Sequence, residues 1–173
     1  MPAVHEYNSL SAGRWRHVKD AVKRLAAPPA AGRIFSDPHI ARRMHFTDGL
    51  PVLIRPMGVD AAIFGCLQKA VPTHDIVYCG SFRRAGLADA MIALAQVGWR
   101  VIAYGTLEDA HVRQRLESAG VDLPGAITRA QVPAALARAR FGLNFTPDVA
   151  PLNRQPSVKS LEYAAAGLTI IAN

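Results

Sequence analysis

The sequence predicts an α/β protein in which a parallel sheet carries helices on both faces. Half of the 173 residues are apolar and 19% are charged, so the chain can bury a core and is not intrinsically disordered. From Asp75 onward, short apolar strands alternate with longer helical segments. Such alternation is typical of parallel sheets whose strands are joined by right-handed crossovers.

The first third of the chain contains four predicted elements. They are a helix at 12–26, a strand at 33–36, a helix at 37–44 and a strand at 51–55. The first helix is amphipathic, because four apolar residues recur at helical spacing among basic ones. These four are Trp15, Val18, Val22 and Leu25. A turn at 56–60 follows, and we therefore expect two domains, residues 1–58 and residues 59–173.

The remainder of the chain is a regular succession of elements. The predicted strands are 76–79, 100–104, 121–123, 141–145 and 168–172, and the predicted helices are 87–97, 107–119, 129–140 and 157–166. Sheets of this kind bind ligands at the carboxyl ends of their strands, where loops meet helix N-termini. The loop 80–86 at that edge carries glycines and two adjacent arginines, Arg83 and Arg84.

Charge and cysteine content narrow the functional classes. The chain has 20 Lys and Arg against 13 Asp and Glu, but its basic residues are dispersed and only 7% of residues are aromatic. We therefore expect anionic small ligands or a membrane surface as partners, and no nucleic acid. Cys66 and Cys79 lack metal-ligand spacing, which indicates free thiols in a reduced compartment. The sequence shows neither a spanning segment nor a signal peptide, so the expected location is the cytoplasm.

Four segments follow one another in the order and spacing of a known family. They are 54–60, 77–82, 123–140 and 156–172. In the last, Lys159-Ser160-Leu161-Glu162-Tyr163-Ala164-Ala165-Ala166-Gly167 is similar to the pattern Lys-x-x-Glu-Tyr-x-Ala-x-Gly. Together the segments resemble the group 1 glycosyltransferases (family 4), and the resemblance covers about residues 33–173.

The resemblance implies the GT-B fold, in which a sugar is transferred from a nucleoside diphosphate between two Rossmann-like domains, with retention of anomeric configuration. The donor lies mainly on the C-terminal domain. By this resemblance, residues 59–173 are the nucleotide-sugar-binding domain, truncated at its C-terminus, and residues 1–58 are the end of the acceptor-side domain. A complete enzyme of two such domains needs roughly 300 to 400 residues, so the chain is expected to be a fragment or a truncated product.

The leaving diphosphate gains negative charge as the glycosidic bond breaks, which requires fixed cations and backbone N–H donors around it. We expect Arg83, Arg84 and Lys159 to be the catalytic cations, and the helix start at Ser157 to supply N–H donors. The resemblance implies that Glu162 accepts hydrogen bonds from the ribose hydroxyls. The remaining donor-binding candidates are Gly80, Gly125, Ala126 and Val158.

Two features depart from the family pattern. The position at which many members carry a second glutamate is Arg154. The loop 80–86 is one residue shorter than the family's Gly-Arg-x-x-x-x-Lys-Gly loop and has Ser81 and Ala85 where Arg and Lys are expected. We expect Arg83 or Arg84 to replace the missing cations.

Simpler readings of these residues remain open. Arg83 and Arg84 also fit solvated loop charges, and Glu162 also fits an ordinary surface residue of a helix. Tyr163 is expected to pack in the core. His5 resembles the end of a strand beside the acceptor cleft in some members, but it also fits a mobile N-terminus.

The sequence thus predicts the donor-binding part of a retaining glycosyltransferase of the hexosyltransferase type, acting in cell-surface polysaccharide or glycolipid synthesis. Its partners would be a nucleotide diphosphate sugar and a sugar or lipid-linked acceptor. No cofactor is expected. No metal is expected either, because the resemblance implies a retaining enzyme without an obligatory metal and the chain has no Asp-x-Asp motif to hold one. The basic face of helix 12–26 suggests peripheral contact with the anionic inner membrane surface.

Two other classes are kept as alternatives. One is a non-catalytic Rossmann-type nucleotide-binding or interaction module. The other is an epimerase, for which His111 and Glu117 are poor candidates because both lie on a predicted surface helix.

Overall fold

The computed structural model of the chain describes residues 3–64, 71–154 and 157–173, and Cys66 lies outside them. The chain divides into two units. The first comprises Met1–Met57 and Asp148–Pro156, and the second comprises Gly58–Pro147 and Ser157–Asn173. The sequence placed the segment 148–156 in the second domain, whereas the structure groups it with the first.

The first unit is built on a parallel sheet of three strands in the order β1-β2-β3. The strands are β1 (Ala3–Tyr7), β2 (Ala30–Phe35) and β3 (Val52–Ile54), and the helices are α1 (Arg16–Leu25) and α2 (Pro38–Met44). Phe35, Ile40 and Met44 form its buried core. The predicted helices and strands of this part are present, and β1 is an additional strand that places His5 in a sheet.

The start of α2 follows directly from its sequence. Asp37 precedes the helix in an extended conformation, and its carboxylate accepts a hydrogen bond from the His39 amide at 2.6 Å. Pro38 occupies the first turn, where a missing N–H costs nothing. Asp and Pro at these two positions are typical of a helix N-cap and first turn.

Helix α1 differs from expectation in how its apolar side is used. It is shorter than the predicted 12–26, and none of its residues is buried. Trp15, Val18, Val22 and Leu25 are between 54% and 79% exposed. The spacing therefore identified the helix correctly, but the apolar stripe is not covered by other residues in the described parts of the chain.

The second unit contains a parallel sheet of five strands in the order β6-β5-β4-β7-β8. The strands are β4 (Ile76–Cys79), β5 (Val101–Tyr104), β6 (Asp122–Gly125), β7 (Phe141–Asn144) and β8 (Thr169–Ala172). The helices are α3 (Ala61–Phe64), α4 (Leu87–Gln96), α5 (Ala110–Ser118), α6 (Val132–Leu136) and α7 (Val158–Ala165). The order reverses between β4 and β7, which is the switch point where doubly wound sheets bind ligands.

Helices cover both faces of this second sheet, which confirms the predicted fold class. Val77 and Ile102 pack with Leu136 of α6 and Tyr163 of α7. On the opposite face, Tyr78 and its neighbours pack against Leu87 and Met91 of α4 and against Leu116 of α5. Consecutive strand residues point to opposite faces, so strands buried on both sides are apolar throughout.

Two predicted helices have different bounds in the structure. The helix predicted at 107–119 begins only at Ala110, because the Asp109 carboxylate accepts hydrogen bonds from the His111 and Val112 amides and caps it there. The helix predicted at 129–140 is a 3-10 turn, Arg129–Gln131, followed by the short α6. Thr128 and Gln131 form a capping box at the start of this turn.

Candidate functional site

Glycines lie at the carboxyl ends of three neighbouring strands: Gly80 follows β4, Gly105 follows β5 and Gly125 ends β6. They allow the backbones of the strand ends to approach closely. The Gly80 amide donates to Tyr104 O at 2.9 Å, and the Gly105 amide donates to Gly125 O at 3.0 Å. A β carbon at position 105 would lie 2.0 Å from the Gly80 carbonyl oxygen, and Gly105 has φ +155°. Only glycine fits at position 105 without moving the end of β4.

A pocket of about 430 Å³ lies over these strand ends. Its lining includes Gly80, Arg83, Gly105, Thr106, Glu108 and Ala126. The Arg83 guanidinium is 3.5 Å from the Glu108 carboxylate, and the Arg83 side chain is 83% exposed. Three of the predicted site residues therefore line the pocket, namely Gly80, Arg83 and Ala126. Of these, Arg83 is exposed to solvent and faces the Glu108 carboxylate.

Arg84 crosses the switch point between β4 and β7. Its Nη1 atom donates a hydrogen bond to the Phe145 carbonyl oxygen, which immediately follows β7. This contact ties the loop 80–86 to the end of the neighbouring strand. Arg84 thus lies where the reversal of strand order leaves a crevice for a ligand.

Lys159 lies in the first turn of α7 and reaches the same region. Its Nζ atom is 5.3 Å from the centre of the Tyr78 ring, and the end of its side chain lies against Gly80. Burial of the ammonium group, and after it the nearby Arg84 charge, lowers the pKa of Lys159. The structure therefore brings two of the three predicted catalytic cations together, and Arg83 is directed elsewhere.

Glu162 follows Lys159 on α7 and is only 7% exposed. Its Oε1 atom accepts a hydrogen bond from Nη1 of Arg129, in the 3-10 turn before α6. Glu162 is therefore not an ordinary surface residue. The sequence analysis missed Arg129, because nothing in the chain pattern indicates which residue of another segment pairs with a buried acid.

Ser157 precedes α7 but does not cap it with its side chain. Its hydroxyl instead donates to Oδ1 of Asn144, the last residue of β7, at 2.8 Å. This bond fixes the start of α7, including Val158, at the carboxyl edge of the sheet. The amides of the first turn of α7 are consequently not occupied by the Ser157 side chain.

Buried side chains behind this edge hold it in place. The Tyr163 hydroxyl donates to Leu143 O and accepts from the Cys79 amide, which confirms that Tyr163 packs in the core. Tyr78 donates to Ser81 O at 2.6 Å, and burial raises the pKa of Tyr78 to about 12. Burial also raises the pKa of the Cys79 thiol, and the Glu162 carboxylate acts in the same direction.

Several other sequence expectations concern positions away from this edge. His111 and Glu117 lie on the exposed side of α5, which agrees with their rejection as an epimerase pair. In the described ranges, no three His, Cys, Asp or Glu side chains lie close enough together to hold a metal ion. None of the helices that the structure describes has the length and apolar character needed to cross a bilayer.

The fold and this edge define a Rossmann-like domain of the GT-B type, with cations at the switch point of its sheet. Residues 83–173, more than half of the chain, match the model of a family described as glycosyl transferase-like. The chain belongs to that family. The resemblance to the C-terminal domain of group 1 glycosyltransferases is thereby confirmed.

Solved structures support the same fold. The chain resembles AviGT4, a glycosyltransferase involved in avilamycin A biosynthesis, with a TM-score of 0.58 and 18% identity over 82% of this chain and 44% of that one. It also resembles the DNA-modifying enzyme β-glucosyltransferase, studied with and without its substrate uridine diphosphoglucose, with a TM-score of 0.55 and 11% identity over 98% of this chain and 54% of that one. The chain thus spans about half the length of these structures. No curated protein matches its sequence.

Proposed function

We propose that the second unit is the donor-binding part of a glycosyltransferase that takes a sugar from a nucleoside diphosphate. The observation that carries this proposal is the placement of two cations at the switch point of the sheet, where Arg84 bonds to the Phe145 carbonyl after β7 and Lys159 lies against Gly80 after β4. Two cations held together in a partly buried place repel each other and favour an anionic ligand between or beside them. A diphosphate matches this charge.

Each group at the edge has a distinct role in the proposed reaction. The bond between the anomeric carbon and the diphosphate oxygen breaks, its electron pair stays on that oxygen, and the acceptor hydroxyl forms the new bond and loses its proton. Arg84, Lys159 and the first amides of α7 stabilise the growing negative charge. These groups interact most strongly with the negative charge that develops on the leaving diphosphate in the transition state. They therefore lower the activation free energy of transfer and do not only bind the donor.

Glu162 is proposed to accept hydrogen bonds from the two ribose hydroxyls of the donor. A carboxylate suits a vicinal diol because its two oxygens accept hydrogen bonds at once. The hydrogen bond from Nη1 of Arg129 to Oε1 fixes the orientation of the Glu162 carboxylate. The pocket beside Gly80 and Ala126 then accommodates the nucleoside, while Gly125 supplies the turn that leads into it.

The family likeness supports a transfer with retention of configuration, with a hexose as the transferred sugar and a polysaccharide or glycolipid as the product. In the rival proposal the same edge binds a nucleotide without chemistry. Hydrolysis and transfer assays with UDP- and GDP-sugars separate the two, since an inert module binds the nucleotide but releases no sugar.

Calorimetric titration of UDP, GDP and their sugars tests donor binding. We expect Arg84→Gln, Lys159→Gln and Glu162→Gln to weaken binding at least tenfold, a loss of about 1.4 kcal/mol for each contact. The control is Arg115→Gln on α5, where Arg115 pairs with Asp89 on the surface. Equal affinities in all four variants, with unchanged circular dichroism, would overturn the proposal.

Peripheral membrane contact is proposed for α1, on the cytoplasmic side of the membrane where a lipid-linked acceptor would be met. The exposed Trp15, Val18, Val22 and Leu25 lie beside basic residues, as in helices that bind anionic interfaces. We expect salt-sensitive sedimentation with anionic vesicles that Val18→Asp and Leu25→Asp abolish and Val97→Asp does not. Val97 is exposed at the end of α4. Sedimentation unchanged by the α1 variants would contradict this role.

A further inference from the structure

The first unit contains a separate pocket of about 210 Å³ whose lining is rich in cations. Three arginines from three segments line it. Arg16 is the first residue of α1, Arg43 lies in the last turn of α2, and Arg154 ends a 3-10 turn at Leu152–Arg154. His17 and His39 also line the pocket. All five belong to the first unit, so the pocket is distinct from the edge described above.

The hydrogen bonding of His17 shows that the cluster is short of acceptors. Its Nε2 atom is 3.2 Å from Nε of Arg16, and its Nδ1 atom is 3.2 Å from Nη2 of Arg43. A guanidinium can only donate, whereas a neutral imidazole has one lone pair and one N–H. His17 can therefore accept a hydrogen bond from at most one of these two arginines, and the other guanidinium is open to an acceptor from solution.

Acidic side chains do not neutralise the three arginines of this pocket. Within the described ranges, none of the three arginines has a carboxylate within 4 Å. Asp20 lines the pocket, but its Oδ1 atom accepts the Ser11 amide at 2.9 Å and lies 4.0 Å from Lys23 Nζ. The three guanidinium groups thus line a pocket whose one carboxylate, that of Asp20, lies more than 4 Å from each of them, so the pocket carries an excess of positive charge.

We propose that this pocket binds the phosphate group of a ligand other than the sugar donor. Guanidinium groups that approach from three segments match a tetrahedral phosphate, whose several oxygens accept forked hydrogen bonds from different directions. The phosphate belongs either to a sugar phosphate or to a phospholipid headgroup. Arg154 contributes a positive charge to this pocket. The resembled family has a glutamate at this position in many members, and an acid there would repel a phosphate.

Inorganic phosphate titrated into the whole chain tests the site. Two-dimensional NMR of arginine side-chain N–H groups should show saturable shifts at Arg16 and Arg43, and calorimetry should give the dissociation constant. We expect Arg16→Gln and Arg43→Gln each to weaken binding roughly tenfold, the effect of losing a charged hydrogen bond. The matched control is Arg42→Gln, an exposed neighbour of Arg43 on α2 that does not line the pocket.

A further variant separates this site from the proposed donor site. Lys159→Gln in the second unit should leave the shifts of Arg16 and Arg43 in place, whether or not the donor proposal holds. Phosphate binding that Arg42→Gln weakens as much as Arg43→Gln, or that Lys159→Gln abolishes, would overturn the inference. Melting temperatures of all variants show whether a loss of binding reflects a loss of fold, and Arg16→Gln is the second variant if Arg43→Gln unfolds.

Two further probes distinguish the source of the phosphate. Glucose 1-phosphate represents the sugar phosphates, and phosphatidic acid vesicles represent the headgroups, with phosphatidylcholine vesicles as the reference. Arg43→Gln should weaken binding of one of these probes relative to Arg42→Gln, which identifies the source. If neither probe distinguishes the two variants, the proposal fails.

Discussion

The end of the Lys159 side chain lies directly against Gly80. A β carbon at position 80 would come within 2.5 Å of Lys159 Cε and 3.1 Å of its Nζ. The position of this cation therefore depends on a residue without a side chain, at the end of the strand beside the switch point. The same glycine has φ +148°, which side chains rarely adopt.

The substitution Gly80→Ala should displace Lys159 and weaken nucleoside diphosphate binding at least tenfold, because the methyl group takes the space of Lys159 Cε. Calorimetry with UDP measures the effect. The control is Gly98→Ala, which also has a positive φ, +95°, but open space around it. Both variants should lose some stability from backbone strain, about 1 kcal/mol. Equal affinities of the two variants for UDP would show that Lys159 does not bind the diphosphate.

Diphosphate affinity should depend on pH through Lys159. Burial and Arg84 lower the pKa of Lys159 in the free protein, and a bound anion raises it again. Affinity should therefore be full below the lowered pKa and fall as pH rises through it, at a lower pH than an ordinary lysine would allow. The measurement is a series of titrations from about pH 7 to about pH 10.

Lys159→Arg is the control for this pH series, since a guanidinium keeps its charge throughout. Its affinity should stay more nearly constant, and any titration of the ligand itself affects both proteins alike. Parallel profiles for the two proteins would exclude Lys159 as the titrating group.

The pair between Arg129 and Glu162 should contribute to the stability of the second unit. Arg129→Met leaves the buried Glu162 carboxylate without its donor, which should reduce the free energy of unfolding by about 1–3 kcal/mol. In a Glu162→Gln background the same change should cost less, because no buried charge is left unpaired. Urea unfolding of the four proteins gives the coupling energy. A coupling of zero would mean that the two side chains do not interact in solution.

Gly142→Ala should destabilise the second unit because Tyr163 packs on this position. A β carbon there would lie 2.4 Å from Cγ and Cδ2 of the Tyr163 ring. Overpacking of this kind costs about 1–3 kcal/mol. Gly58→Ala is the control, since nothing lies within 4 Å of a β carbon at that position. Equal unfolding free energies for these two variants would show that the ring moves aside freely.

The strands and helices of the second unit were more predictable from the sequence than those of the first unit. The strands β4, β5 and β7 are short apolar runs between segments with helical periodicity, so composition and periodicity both predict strands there. Strand β1 was not among the predicted elements, although the resemblance suggested a strand end at His5, because Ala3–Tyr7 shows no clear apolar alternation. The strand forms by pairing with β2. The bounds of α5 and α6 depended on caps at Asp109 and Thr128, which compete with the longer helical pattern.

The candidate site was predictable only in part. The sequence analysis named Arg83, Arg84, Lys159 and Glu162, and the structure places the last three at one edge of the sheet. The sequence could not reveal that Arg83 faces Glu108, or that Arg129 pairs with Glu162, because both contacts join segments that are distant in the chain.

By itself, the sequence determined the alternation of strands and helices, the amphipathic character of α1 and the presence of glycines and adjacent arginines in the loop 80–86. These properties depend on neighbouring residues, whose spacing fixes which side chains share a face. The tertiary structure alone decided which charges meet. The contact between Lys159 and Gly80, and the contact between Arg43 and His17, arise where segments that are far apart in the chain pack together, so no local pattern encodes them.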